Sequence, residues 1–572
     1  MIGLISATAA GRTGCDRLAA AWPGRTRRYD GPVRDVLPAA FAECDQLVVF
    51  LATGAAVRLL APLLAGKAAD PAVVTVDEAH RHAIALLGGH ASGANALAEA
   101  VCTVLTTSPV ITTATDVTGT PALDRLPYPV EGAIPAVTRA LLDGTPVHLD
   151  AAPAWPLPPL PAAPGETADT PADAYVVRVT DRLGRGGERT VVVRPPSLVV
   201  GVGGSRGVEV GEVVALVREG LAAAGLAEES LWTMATVEAK ADEAGIVAAA
   251  ARLGVPLVTF AAEALAQVTV PNPSAAPLAA VGTPSVAEAA AVLGAGPGGE
   301  LVLEKRKSAM ATVAVARRRP RGRLAVVGLG PGARDLLTPR AAAELRRASV
   351  IVGLDQYVAQ IDDLLLPGTR VLASGLGAEE ARARTAVAEA RAGHAVALIG
   401  SGDAGVYAMA SPALAEAADD IDVVGVPGVT AALAAAALLG APLGHDHVSI
   451  SLSDLHTPWE VIERRVRAAA AADLVVTFYN PRSRGRDWQL PKALALLAEH
   501  RDPRTPVGVV RAATRPDEEV TVTTLADVDP ATVDMVSVVT VGNTASRVVA
   551  GRMVTPRGYR WQADPANGGG GA

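Results

Sequence analysis

Three glycine-rich loops hold the residues of this chain best suited to close ligand approach. The apolar run Leu324 to Val327 feeds Gly328-Leu-Gly-Pro-Gly-Ala333. Ala395 to Ile399 feeds Gly400-Ser-Gly-Asp-Ala-Gly-Val-Tyr407, and Asp422 to Val426 feeds Pro427-Gly-Val-Thr430. Glycine lets a backbone come near a ligand, and loops at the carboxyl ends of sheet strands build ligand crevices. One such loop reads as an ordinary tight turn; three of them between residues 328 and 430 point to a site. The first also satisfies GxGxx[G/A], which raises a dinucleotide-binding loop and nicotinamide oxidoreduction. Against it, Pro331 removes a backbone donor where a pyrophosphate needs one, and Asp355, the acidic residue downstream, follows a Gly-Leu turn rather than a strand end.

Other candidates are single side chains. His90, between Gly88-Gly89 and a helix start, suits proton transfer or a capping and packing role. Arg206 follows Gly203-Gly204-Ser205 and can grip a carboxylate with its fork, or lie on the surface. Lys240 and Glu243 share a face if helical, as a plain ion pair or a catalytic one. His445 and His447 lack further ligands for a metal. The cysteines Cys15, Cys44 and Cys102 form no CxxC pattern, which suggests a reducing compartment and argues against zinc.

The elements that must position these residues alternate. The chain has 572 residues, half of them hydrophobic, too many for one core. A net charge of −8 gives no electrostatic case for nucleic acid or an anionic membrane. No cleavable signal and no unbroken run able to span a bilayer is seen, so a cytoplasmic protein is expected. Strand-like runs and helical segments over 1–126 predict parallel βαβ packing. Prolines between 153 and 171 mark a linker, and Val176-Val179 and Thr190-Val193, flanking Gly184-Arg-Gly-Gly187, predict a β-hairpin in a small subdomain over 127–197. A further α/β domain spans 198–318, and the pattern restarts over 323–560 as lobes of about 323–442 and 443–560; residues 561–572 read as a disordered tail. The fold class expected is α/β and multidomain.

Six ordered motifs carry a resemblance. Gly328–Gly332, Gly400–Met409, Val426–Ala432, Gly440-Ala-Pro-Leu-Gly-His-Asp446, Phe478-Tyr-Asn-Pro-Arg-Ser483 and Thr540-Val-Gly-Asn-Thr-Ala-Ser-Arg547 resemble the tetrapyrrole methyltransferases of cobalamin biosynthesis, and among them precorrin-3B C17-methyltransferases. Earlier, Ala52–Arg58, Lys67–Val73, Leu86–Asn95, Ile111–Asp116, Val200–Gly207, Glu238-Ala-Lys240 with Glu243, and Val281–Glu288 resemble cobalt-precorrin-5A hydrolases. That family's glycine loop often carries a cysteine where this chain has Gly204 or Ser205.

The resemblance implies hydrolase-like α/β modules followed by a two-lobed methylase that uses S-adenosyl-L-methionine, methylates C17 and contracts the ring. Gly330, Pro331, Gly332, Gly402, Asp403, Val406, Tyr407, Thr430 and Ala431 would border the cofactor. Asp403 would hold a cofactor group or merely order its turn. Asn480 and Arg482 would touch the acidic macrocycle or hold a turn. In the first half, His90, Arg206, Lys240 and Glu243 would serve a lactone opening that releases acetaldehyde. A tetrapyrrole substrate, no metal for methyl transfer and a homodimer through the methyltransferase half complete the expectation. The competing readings are methylation at another macrocycle position and a first half that binds the tetrapyrrole without catalysis.

Overall fold

A computed structural model describes residues 1–66, 69–89, 92–151, 153–164, 171, 173–184, 186–483 and 485–558. His90 and the tail 561–572 lie outside the described residues. The chain forms two compact units, Met1–Pro320 with Leu366–Gly368, and Arg321–Leu365 with Thr369–Ala572. The mixed α/β class matches the expectation.

The first unit contains three sheets. In the first, Thr26–Tyr29, Ile2–Ser6, Gln46–Phe50, Ala72–Val76, His82–Leu87 and Ser108–Val110 lie in that order. Its pairs are parallel except Ala72–Val76 against His82–Leu87, which is antiparallel. The connection between those two strands is too short for a crossover helix, so the purely parallel expectation gives way there. Leu47, Val48 and Val49 are fully buried, as strands covered by helices on both faces require.

The second sheet corrects the hairpin. Tyr175–Val179 and Thr190–Val193 pair in parallel, with Val177 opposite Val191. The intervening chain leaves the sheet instead of turning back. Asp181 O accepts from Ala227 N and the Leu183 N–H donates to Gly225 O. The buried Asp181 carboxylate accepts from Arg317 at 2.6 and 3.0 Å and from the Ser197 hydroxyl at 2.7 Å. A buried carboxylate needs such partners, and satisfying them carries the chain across to the third sheet.

That third sheet runs Leu257–Phe260, Leu231–Val237, Leu198–Gly204, Ala311–Arg317 and Glu300–Lys307, the first two pairs parallel and the last two antiparallel. Helix Ala287–Ala295 lies so close on its central strand that a Cβ at Gly201 would sit 1.8 Å from Ala287 O.

In the second unit, Arg370–Ser374, Val350–Leu354, Ala395–Gly400, Arg323–Gly328 and Asp422–Val426 form an all-parallel sheet. A second sheet holds His447–Ser451, Val475–Tyr479, Ser537–Val541, Pro506–Arg511 and Glu519–Thr524, parallel only in its first pair. No helix among the described residues is long and apolar enough to cross a membrane.

Candidate functional site

The glycine loops meet at the carboxyl ends of the parallel sheet. The Gly330 N–H donates to Gly402 O at 3.0 Å and the Gly402 N–H returns to Gly330 O at 2.7 Å. Both residues have positive φ, +77° and +68°, a conformation that favours glycine. This stitching removes the donors a phosphate cradle would use: Leu329 N–H bonds Gly400 O and Ala333 N–H bonds the Thr514 hydroxyl. With Pro331 lacking an N–H, the loop has few groups left for a pyrophosphate. Asp355 does directly follow the end of strand Val350–Leu354, contrary to the sequence reading, yet the loop it would serve is closed.

Asp403 binds protein rather than open space. One carboxylate oxygen accepts from Gly405 N at 2.8 Å and the other from Gly428 N at 3.0 Å, so it both orders its turn and ties the second loop to the third. Val406 closes the same turn, its N–H on Asp403 O. Thr430 precedes helix Ala431–Leu439 without capping it through its own side chain. The cap comes from Tyr479, whose hydroxyl accepts from Ala432 N at 2.9 Å and bonds the Thr430 hydroxyl.

Tyr407 reaches across to the second sheet, its hydroxyl donating to Ser449 O at 2.7 Å and its ring lying 5.2 Å from that of Tyr479. Partial burial raises its phenol above the ordinary value, which keeps this donor protonated. Asn480 donates from Nδ2 to the Ser451 hydroxyl at 3.1 Å. Tyr407, Asn480, Ala512 and Thr514 all have φ between +47° and +65°. Non-glycine residues held there cost of order 1–3 kcal/mol each, and such strain gathers at functional sites.

Tyr407 and Asn480 line a cleft of about 1120 Å³, with Met409, Ser449, Ser451 and Arg465 among its walls. A smaller cavity of about 270 Å³ lies beside Asp403, Gly405 and Pro427. Arg482 is not brought to either cavity: its Nη1 donates to Ala531 O at 2.6 Å and Pro530 O at 3.3 Å. Two residues escaped the sequence reading altogether. Tyr479 caps helix Ala431–Leu439 from the end of strand Val475–Tyr479, and Arg515 donates from Nε to Pro331 O at 3.0 Å and from Nη2 to Ser401 Oγ at 3.4 Å. Only the motif Phe478-Tyr-Asn-Pro could have flagged the tyrosine; nothing local singles out Arg515.

In the first unit, Arg206 and Lys240 line a separate cavity of about 560 Å³ at the carboxyl end of strand Leu198–Gly204. Lys240 Nζ lies 2.9 Å from Glu243, whose other oxygen accepts from Gly207 N at 2.8 Å. The hydrogen bond from Lys240, and then that from Gly207, hold the Glu243 carboxyl below its ordinary value. His445 and His447 bond within their own turn, and no group of three or more His, Cys, Asp or Glu able to hold a metal occurs among the described residues.

Residues 323–529 match the family model described as Tetrapyrrole (Corrin/Porphyrin) Methylases. Residues 198–316 match Cobalamin synthesis G C-terminus, and residues 35–116 match Cobalamin synthesis G N-terminal. The chain is 48% identical over 227 residues to the "Probable cobalt-factor III C(17)-methyltransferase" of Salmonella typhimurium, covering 39% of this chain and 94% of that protein. It is 42% identical over 220 residues to the "Precorrin-3B C(17)-methyltransferase" of Sinorhizobium sp, covering 37% and 85% respectively. A solved structure of the methyltransferase CobJ is 41% identical, covering 41% of this chain and all of that one, with a TM-score of 0.40.

Proposed function

We propose that this chain, which belongs to the tetrapyrrole methylase family through residues 323–529 and carries both cobalamin synthesis G domains ahead of them, is a bifunctional enzyme of cobalamin biosynthesis. Its second unit methylates C17 of precorrin-3B or its cobalt form, with ring contraction. Its first unit opens the ring-A lactone of precorrin-5A or its cobalt form and releases acetaldehyde.

The observation that carries the methylase reading is the cleft of about 1120 Å³ beside glycine loops whose donors face one another. Ordinary small-molecule pockets span roughly 300–1,000 Å³, so this one has room for a macrocycle. Its serine hydroxyls and apolar floor fit S-adenosyl-L-methionine, which has no phosphate for the closed loop to grip. To the border of that cofactor we assign Gly330, Pro331, Gly332, Gly402, Asp403, Val406, Tyr407, Thr430 and Ala431, of which Tyr407 lines this cleft. When bound, it supplies an electrophilic methyl group. Transfer to a macrocycle carbon then needs in-line positioning and exclusion of water. Asp403 and Tyr479 hold the loops in register for this, and Asn480 faces the macrocycle's side of the cleft.

In the first unit, the Lys240–Glu243 pair and Arg206 supply the charged groups of the hydrolytic site, with His90 a proton-transfer candidate. The proposal includes a cytoplasmic homodimer formed through the methylase half, which sedimentation velocity checks; a monomer removes that part.

Mass spectrometry after incubation with precorrin-3B, or its cobalt form, and S-adenosyl-L-methionine tests the core. A gain of one methyl at C17 is expected, and unchanged substrate overturns it. A methyl at another carbon redirects the regiochemistry. Acetaldehyde assay tests the first unit: none released by the wild type leaves it a tetrapyrrole-binding module. Titration with NAD, expected to give no saturation, addresses the oxidoreductase reading.

A further inference from the structure

The cavity of about 560 Å³ in the first unit has an uneven charge distribution. Among the described residues four cations line it, Arg206, Lys240, Lys305 and Lys307, and no carboxylate does, although Glu212 accepts from two wall residues, the Ser308 hydroxyl and the Met310 N–H. Lys240 is answered by Glu243. Lys305 Nζ donates to the backbone oxygen of Asn272, a neutral acceptor. The side chains of Arg206 and Lys307 make no hydrogen bond or ion pair among the described residues, although the Arg206 charge acts on Glu243.

One buried acid beside Lys305 is committed elsewhere. Glu288 is fully buried and accepts from Asn272 N at 3.1 Å, Asn272 Nδ2 at 2.9 Å and Lys305 N at 3.0 Å. It therefore fixes the backbone from which Lys305 projects. Lys305 and Lys307, two residues apart on strand Glu300–Lys307, both line the cavity.

Ser285 supplies an independent sign. It is 1% exposed, lines the cavity, and its hydroxyl has no hydrogen-bond partner. A buried hydroxyl without a partner is unfavourable by about 1–3 kcal/mol, and a ligand oxygen would satisfy it. The floor between these groups is apolar, formed by Val237, Val281 and Val286. Cations beside an apolar floor suit an apolar body with carboxylates at its edge.

We propose that this cavity is a polycarboxylate site in which Arg206, Lys305 and Lys307 hold the acetate and propionate groups of a tetrapyrrole rim and Ser285 donates to one of them. The identity of the ligand rests on the reading of the first unit as the lactone-opening half.

The full-length chain, titrated with uroporphyrin III as an octacarboxylate probe, tests it. The wild type is expected to bind at a site that the double variant Lys305→Gln with Lys307→Gln weakens at least tenfold, as does Arg206→Gln with Ser285→Ala. Inorganic phosphate at matched ionic strength should not displace the probe. In the acetaldehyde assay Lys305→Gln with Lys307→Gln should raise KM at least tenfold with kcat within twofold, while the methylation rate, which reports folding of the chain, stays unchanged. Unaltered probe binding in both double variants overturns the site, as does displacement by phosphate. A wild type that releases no acetaldehyde but binds the probe through Lys305 and Lys307 sinks the hydrolase reading and leaves the site standing. Acetaldehyde release with unchanged KM in Lys305→Gln with Lys307→Gln does the reverse.

Discussion

The Tyr479 hydroxyl accepts the Ala432 amide hydrogen at 2.9 Å, so a side chain at the end of strand Val475–Tyr479 caps helix Ala431–Leu439. Helix N-termini leave N–H groups without partners, and a cap contributes about 0.5–2 kcal/mol. Tyr479→Phe removes the acceptor and frees Thr430, which precedes the helix and can turn to cap it. Urea unfolding should therefore show a loss near the low end of that range. Thr430→Ala in the same chain should lose more than the two single changes added together, since each residue substitutes for the other. Strict additivity would mean that Tyr479 does not act as a cap.

Asp403 offers a second test. Its two oxygens serve two amides, Gly405 and Gly428, in two different loops. Asn retains one acceptor oxygen and Ala none. Asp403→Ala should destabilise the second unit by about 1–3 kcal/mol, and Asp403→Asn by less. Hydrogen exchange at the Gly428 amide should speed up in the alanine variant. Unchanged exchange there would show that the loop holds itself.

These contacts also mark where the sequence stopped being legible. The apolar runs named the sheet strands of the second unit well, because parallel strands buried on both faces read as continuous apolar stretches: Val350–Leu354 and Ala395–Gly400 fall where the runs predict. The glycine loops were visible for the same local reason. Pairing direction was not. Tyr175–Val179 and Thr190–Val193 looked like a hairpin since the glycines between them suit a tight turn, and only the distant Arg317, bonded to Asp181, explains why the chain departs. Helices such as Ala9–Ala21 and Glu379–Arg391 bury mostly small residues, and the second also buries Arg382, which blurs a helical stripe. Tyr479 and Arg515 acquire their roles from partners far along the chain, and no spacing rule reaches that distance.

Arg515 gives a third prediction. It bonds Pro331 O, 184 positions away in the chain, and the hydroxyl of Ser401, so it pins the first two glycine loops together. A lysine there keeps the charge but loses the fork that makes both bonds. Arg515→Lys should raise KM for S-adenosyl-L-methionine about tenfold, the equivalent of one charge-assisted hydrogen bond. Acetaldehyde release, which belongs to the other unit, should be unaffected. A fall in both activities would point to a folding defect instead.

The last prediction concerns pH. Glu243 has a carboxyl lowered from its ordinary value of 4.5, first by the hydrogen bond from Lys240 and then by that from Gly207. A group lowered on folding contributes stability that is fully present above its unfolded value and fades as pH falls through the lower folded value. The Tm difference between wild type and Glu243→Gln should thus be constant above about pH 5 and shrink at lower pH, where both chains carry a neutral group at this position. Salt should narrow the gap at neutral pH as well, since screening weakens a partly exposed pair. A difference that grows on acidification has the opposite sign and would mean that Glu243 is stabilised in its protonated form, which would fit a general acid and not a clamp on the Gly207 turn.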